Sequence, residues 1–252
     1  MKIEIFLFFV FISICGKAQN LPSIQTDRPD QTECPFIVPI NYFQFENGFV
    51  YQKNNENSNE IVAPTVLMKF GINDHFELRL ISEYMINSNF ENKTFGINPI
   101  FIGFKTRLFE EKGFVPTTSF ITHLSIPNLA STNYKTQFYA PEFRFTMQHT
   151  LSEKQSLSYN IGAEWNGESA EPTFIYTLTT GYSISKKVSG YLEFYGFIPQ
   201  LEMPDHRFDG GICYLFNKNH QLDFSAGFGL SETSPKYFIG LGYSFRFKLL
   251  KK

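Results

Sequence analysis

Apolar and polar residues alternate along the chain from Tyr42 onward, and the alternation stops and restarts at turn residues again and again. Phe43, Phe45, Phe49 and Tyr51 share one parity, with Gln44, Glu46, Gly48 and Gln52 on the other. Phe76, Leu78, Leu80, Tyr84 and Ile86 alternate with Glu77, Arg79 and Glu83. Leu222, Phe224, Ala226 and Phe228 alternate with Asp223, Ser225, Gly227 and Gly229. Successive side chains of a strand point to opposite faces, so period two predicts strands, and helical spacing is absent from these segments. About twelve are expected, at 41–53, 61–72, 76–87, 94–109, 114–127, 137–149, 156–165, 172–184, 190–200, 207–216, 221–231 and 236–247.

Two classes of connector alternate. Tight ones fall at Asn73–His75, Glu110–Gly113, Ser152–Gln155, Ser185–Ser189 and Asn217–His220. Longer polar ones fall at Asn54–Glu60, Ser88–Lys93, Leu129–Thr136, Asn166–Glu171 and Leu201–His206. An even number of antiparallel strands of about ten residues, with short and longer connectors alternating, predicts an all-β, transmembrane, antiparallel up-and-down β-barrel. None of these connectors is long enough to promise a constriction loop.

Composition sharpens the choice between a barrel and a secreted β-sandwich. Thirty Phe and 13 Tyr take aromatics to 17%, yet only 42% of residues are apolar. Such a chain sorts two kinds of residue onto two surfaces. Two packed sheets would not hide so many apolar faces, whereas a barrel turns them to lipid and keeps the polar parity inside. Tyr51, Tyr84, Tyr139, Trp165, Tyr237 and Tyr243 stand towards strand ends, where interfacial girdles belong. After residue 15 no run approaches the ~20 apolar residues of a membrane-spanning helix. A net charge of −2 offers no field for nucleic acid.

Residues 1–18 read as a signal peptide, with Lys2, an apolar run from Ile5 to Ile14, and Gly16 and Ala18 placed for cleavage after Ala18. The chain is therefore expected in the outer membrane. Residues 19–40 form a short N-terminal periplasmic segment, 41–247 the barrel and 248–252 a basic tail. Pro22, Pro29, Pro35 and Pro39 argue against a strand in the segment, because proline lacks a ladder donor. Asp27, Arg28, Asp30 and Glu33 argue against lipid contact. Two readings stay open: a plug or gate pairing with lumen charges, or a flexible tail. Cys34 and Cys213 survive cleavage, and two cysteines alone do not settle whether they pair.

By parity the lumen collects Glu46, Glu77, Glu83, Glu142, Glu164, Glu193, Asp209 and Asp223, against Lys69, Arg79, Lys105, Arg107, Arg144, Arg207, Lys236 and Arg246. Acids and bases balance, which fits either a paired network filling a narrow barrel or a charge-lined path. The corresponding functions are passage of small solutes and a largely closed structural barrel.

Further segments carry a resemblance. They are TDRPDQTE at 26–33, FQFENGFVYQK, PTVLMKFGINDHFELRL, RLFEEKGFVP, LSYNIGAEWNG, EFYGFIP, FDGGICYLF and LDFSAGFGLSETSPKYFIGLGYSFRF. Together they resemble the outer-membrane transporter family labelled "MetA-pathway of phenol degradation" over nearly the whole mature chain. The resemblance implies an outer-membrane barrel that passes small, aromatic or hydrophobic compounds, with no catalytic motif and no cofactor. The partners it implies are outer-membrane lipid, a small-molecule solute and the outer-membrane assembly machinery.

One pair keeps an enzyme reading in view. His123 and Ser125 share a strand face, as a base and a nucleophile would in a barrel-embedded lipid hydrolase. Their shared face points inward, where lipid does not reach. His75, His149, His206 and His220 have no common metal-ligand spacing.

Overall fold

The computed structural model describes residues 21–89 and 92–249, so the expected leader at 1–18 and most of the basic tail lie outside the described residues. Each alternating segment forms a strand: β1 (Tyr42–Asn55), β2 (Ser58–Asn73), β3 (Phe76–Ser88), β4 (Lys93–Ile97), β5 (Ile100–Phe109), β6 (Thr117–Ile126), β7 (Pro141–Thr150), β8 (Gln155–Glu164), β9 (Thr173–Ser183), β10 (Val188–Pro199), β11 (Asp205–Asn217), β12 (His220–Gly229) and β13 (Tyr237–Lys248). β4 and β5 are two halves of one expected strand, and both pair with β3. The break falls at Asn98-Pro99, where proline has no N–H to give the ladder. All neighbours are antiparallel, and β13 pairs with β1 to close a barrel of twelve staves.

Register carries one parity around the wall. Lys69 stands opposite Arg79, Glu77 opposite Lys105, Glu193 opposite Asp209, and Gln44 opposite Arg246. These inward positions are buried, while Leu78, Ile102, Leu178, Leu192, Phe224 and Leu241 are exposed on the outside. In water that distribution would be inverted. In a bilayer it is the stable one, because the outer face meets hydrocarbon and closure leaves no unpaired strand edge.

Both ends of the barrel wall, Tyr42 and Lys248, lie at one rim, together with the connectors 74–75, 110–116, 151–154, 184–187 and 218–219. The other rim carries 127–140, 165–172, 200–204 and 230–236. Short turns belong to the periplasmic side, so we call the first rim periplasmic and the second extracellular.

Two connectors differ from expectation. β1 and β2 run on to a tight turn at Glu56-Asn57, so the polar stretch 54–60 is mostly strand. Conversely, 127–140 is longer than any expected connector. It holds two short 3-10 turns, Pro127–Leu129 and Thr132–Tyr134, and folds inward onto β4. Ser131 Oγ accepts from Ile97 N at 2.9 Å, and Asn87 Nδ2 donates to the Tyr134 hydroxyl at 3.3 Å. A methyl on inward-facing Gly96 would overlap Ser131. The extracellular mouth thus has an infolded loop whose end, with Tyr139 in the parity of Phe143 and Phe145, read as strand.

Lysine in place of Phe224, near the middle of β12, should lower stability by about 2–4 kcal/mol, and lysine at Tyr237 near the rim by about 0–1 kcal/mol. Denaturant titration in lipid vesicles checks this; equal costs would mean that these faces do not meet hydrocarbon.

Candidate functional site

Residues 21–41 make no strand, and many of their backbone donors and acceptors are bonded to the inner wall instead. The segment enters from the periplasmic rim, where Ile24 N donates to Lys218 O and Arg246 donates to Pro22 O. It crosses the lumen and returns to that rim beside β2. There Val38 N donates to Glu77 Oε2 at 2.7 Å, and Asn41, at φ 62°, donates its N–H to Gly71 O. Asn tolerates that left-handed conformation better than most residues, which suits the sharp entry into β1.

Asp27 is the centre of the assembly. Its Oδ2 lies 2.8 Å from Lys69 Nζ and 2.8 Å from Arg79 Nη1, and its Oδ1 lies 2.9 Å from Lys105 Nζ. The donors come from the neighbouring staves β2, β3 and β5. Glu46 pairs with Lys69, Glu77 pairs with Arg79 at 3.1 Å, and Glu33 pairs with Arg79 at 2.6 Å. Burial alone would raise the Asp27 pKa, but Lys105, Lys69 and Arg79 outweigh it and hold the carboxyl well below the ordinary range.

Arg28 is keyed into the adjoining wall of β1, β13 and β12. Its guanidinium donates to Asp223 Oδ1 at 3.0 Å and fills the space left by Gly48 and Gly242, where a methyl would overlap it. Farther along, Glu193 accepts from Gln31 N, Thr32 N, Thr32 Oγ1 and Thr179 Oγ1 at 2.5–2.8 Å. Asn160 bonds Glu33 through both its carbonyl and its amide, and Ser119 donates to Pro35 O.

Of the remaining charged positions, Arg144 also reaches the segment, its Nη1 donating to Gln31 O at 3.3 Å, and the others lie outside this assembly. Glu83 accepts from Asn98, and Arg144 lies 3.8 Å from Glu164 near the extracellular rim. Arg207 pairs with Asp205 at 2.5 Å and reaches Gln52. Arg107 pairs with Glu110 at the periplasmic mouth. Lys236 is a correction: it keeps the inward parity but precedes β13, sits exposed on the extracellular rim and pairs with Glu56. Gln44, Thr32, Asn160, Thr177, Thr179, Tyr191 and Asp205 belong to the lumen although uncharged or unremarked in the sequence. Parity alone could have found those on strands.

His123 and Ser125 are not joined as a base and its nucleophile would be. Arg79 Nε donates to His123 Nε2 at 3.0 Å, so the ring proton is on Nδ1, which meets Glu142 at 2.5 Å. Ser125 Oγ instead accepts from Ala140 N. Neither nitrogen is left to serve the serine. Cys34 and Cys213 are both free thiols.

Above the segment the lumen is not polar throughout, contrary to expectation. Val50, Val62, Met85, Phe101, Ile175, Tyr195, Phe197 and Phe238 all share the inward parity in the extracellular half. Below, a polar cavity of about 460 Å³ separates residues 23–34 from the wall and includes Asp30, Cys34, Tyr191 and Cys213 in its lining.

The chain matches the family described as "Putative MetA-pathway of phenol degradation" over residues 26–247. It belongs to that family. No curated relative matches it in sequence. Among solved structures it is similar to the COG4313 outer membrane channel from Pseudomonas putida F1, at TM-score 0.66 and 15% identity, covering 84% of this chain and 97% of that one. A NanC porin gives TM-score 0.55 at 9% identity over 81% and 98%, and a KdgM porin 0.53 at 12% over 81% and 99%. The fold of this family member is therefore that of an outer-membrane barrel.

Replacing Asp27 by Asn leaves Lys69, Arg79 and Lys105 short of an anion, and should weaken segment docking by about 3–5 kcal/mol. Because the Asp27 pKa is depressed, its contribution is complete above the ordinary value of 3.8 and is lost as pH falls through the docked value. Limited proteolysis of the segment should rise in Asp27→Asn at neutral pH, and in the unmodified chain only in strong acid. Unchanged protection in both cases would contradict the assignment.

Proposed function

We propose that this barrel passes small solutes across the outer membrane, aromatic and hydrophobic ones among them, and that residues 21–41 are its gate. The observation carrying the reading is the division of the lumen. An extracellular half with apolar inward residues ends on a segment held by ion pairs, and a polar cavity opens beyond it. An apolar vestibule favours solutes with apolar surface, because their transfer from water is worth about 25 cal/mol per Å² buried. The family description, which names phenol degradation, and the similarity to a solved channel and two porins support this reading. Export by the leader, cleavage after Ala18 and insertion by the outer-membrane assembly machinery belong to the same proposal.

A largely closed structural barrel is the second reading, favoured by the density of pairing around Asp27. Planar-bilayer recording separates the two. The intact chain should conduct weakly, and deletion of residues 22–36 should raise single-channel conductance at least severalfold. No discrete conductance from either form would favour the closed barrel, and equal conductance from both would remove the gate.

A further inference from the structure

Two acids face each other across neighbouring staves of the inner wall beside the docked segment. Glu193 and Asp209 stand directly opposite each other on β10 and β11, both on the inward parity. Both residues are almost fully buried. Glu193 already takes four donors from Gln31, Thr32 and Thr179, which stabilise it as an anion. Asp209 takes one, from the Tyr191 hydroxyl to Oδ2 at 3.2 Å, and its Oδ1 has no partner. Asp30 of the segment precedes Gln31, whose N–H is bonded to Glu193, and lines the periplasmic cavity.

Among the described residues no ion pair to a base is formed by Glu193, Asp209 or Asp30. On the segment, Asp27 is spent on Lys69, Arg79 and Lys105, and Arg28 on Asp223 of β12. On β11, Arg207 is bound to Asp205, and Cys213 is a free thiol. β10 adds only Tyr191 and Tyr195, and β9 only Thr177 and Thr179. Among the described residues no group of three acids, histidines or cysteines is arranged to hold a metal ion. Two facing acceptors without a metal need a proton between them.

We infer that Glu193 and Asp209, completed by Asp30, are the proton-dependent latch of the segment: it docks with a proton shared between the carboxyls and is released when that proton leaves through the periplasmic cavity. The inference deepens the gate reading and rests on it. Asp30 lines that cavity, which gives the proton a wet exit. Burial and the neighbouring Glu193 and Asp209 push the Asp30 carboxyl well above its ordinary range, so its docked form also favours the proton. The sign follows. An acid whose pKa is raised on docking takes up a proton, so docking weakens as pH rises from the ordinary carboxylate value through the raised one. Asp27 acts oppositely and only in strong acid.

Cys34, on the segment beside the cavity, serves as reporter. In a Cys213→Ser background, its reaction with a bulky impermeant maleimide is followed from about pH 6 to about pH 8. The rate is divided at each pH by that of the same protein carrying Asp209→Asn, which cancels thiol ionisation. The asparagine amide supplies Glu193 with a fixed donor, so that variant stays docked. The ratio should rise with pH, by up to about tenfold per unit while one proton is released. A flat ratio overturns the latch. If Asp209→Asn does not fold, Asp30→Asn, which lies outside the strands, must flatten the pH dependence, and an unchanged slope overturns it. A slope present in tetramethylammonium but abolished by potassium would replace the proton with an alkali cation and also overturn it. Labelling reads docking and conductance reads passage, so failure of the latch is distinguishable from failure of the conduit.

Discussion

A buried carboxylate neutralising buried cations is the constraint on which this structure turns. Lys69, Arg79 and Lys105 project from three neighbouring staves into a space that water does not freely enter, and such charges are stable only when paired. The wall supplies part of the answer with Glu46 and Glu77. Asp27 supplies the rest from outside the wall. The segment is therefore the missing half of a charge set, and its removal would leave the lumen chemically incomplete.

That requirement also explains how the lumen is divided. A barrel of this width is too large for its own side chains to fill as an eight-strand barrel is filled, and too small for a wide porin channel. Here the gap is closed by backbone. Peptide N–H groups of Asp27, Arg28, Gln31, Thr32, Glu33 and Val38 reach wall carboxylates or the Asn160 amide oxygen, so a proline-rich stretch without secondary structure still has donors satisfied. Where the segment does not reach, in the extracellular half, many inward positions turn apolar, and the charges that remain there are met by the wall itself, as Arg207 is by Asp205.

Strand number, face assignment and closure were legible because period two is a local signal, repeated in every segment from β1 to β13. The position of a residue along the barrel axis was less so. Parity placed Lys236 inside, yet β13 begins one residue later and leaves it on the rim. Parity likewise could not show that Phe197 and Phe238 face inward for a purpose different from that of Glu193. The Asn98-Pro99 break was readable from the proline; the infolding of 127–140 was not, since Tyr139 continues the parity of Phe143 and Phe145 while lying in a loop. The destination of residues 21–41 was the least local question. Asp27 meets Lys105 across 78 residues and Thr32 meets Glu193 across 161, and no spacing rule connects them.

The central claim is that the docked segment is what closes the lumen, and a reversible tether tests it most directly. Thr32 and Thr177 touch through their hydroxyls at 2.6 Å. With Cys34 and Cys213 replaced by serine, cysteines at 32 and 177 should cross-link under mild oxidation. The account predicts low, steady conductance in the oxidised barrel and increased, fluctuating conductance once a reductant is added. Failure to cross-link, or conductance unaffected by reduction, would contradict it.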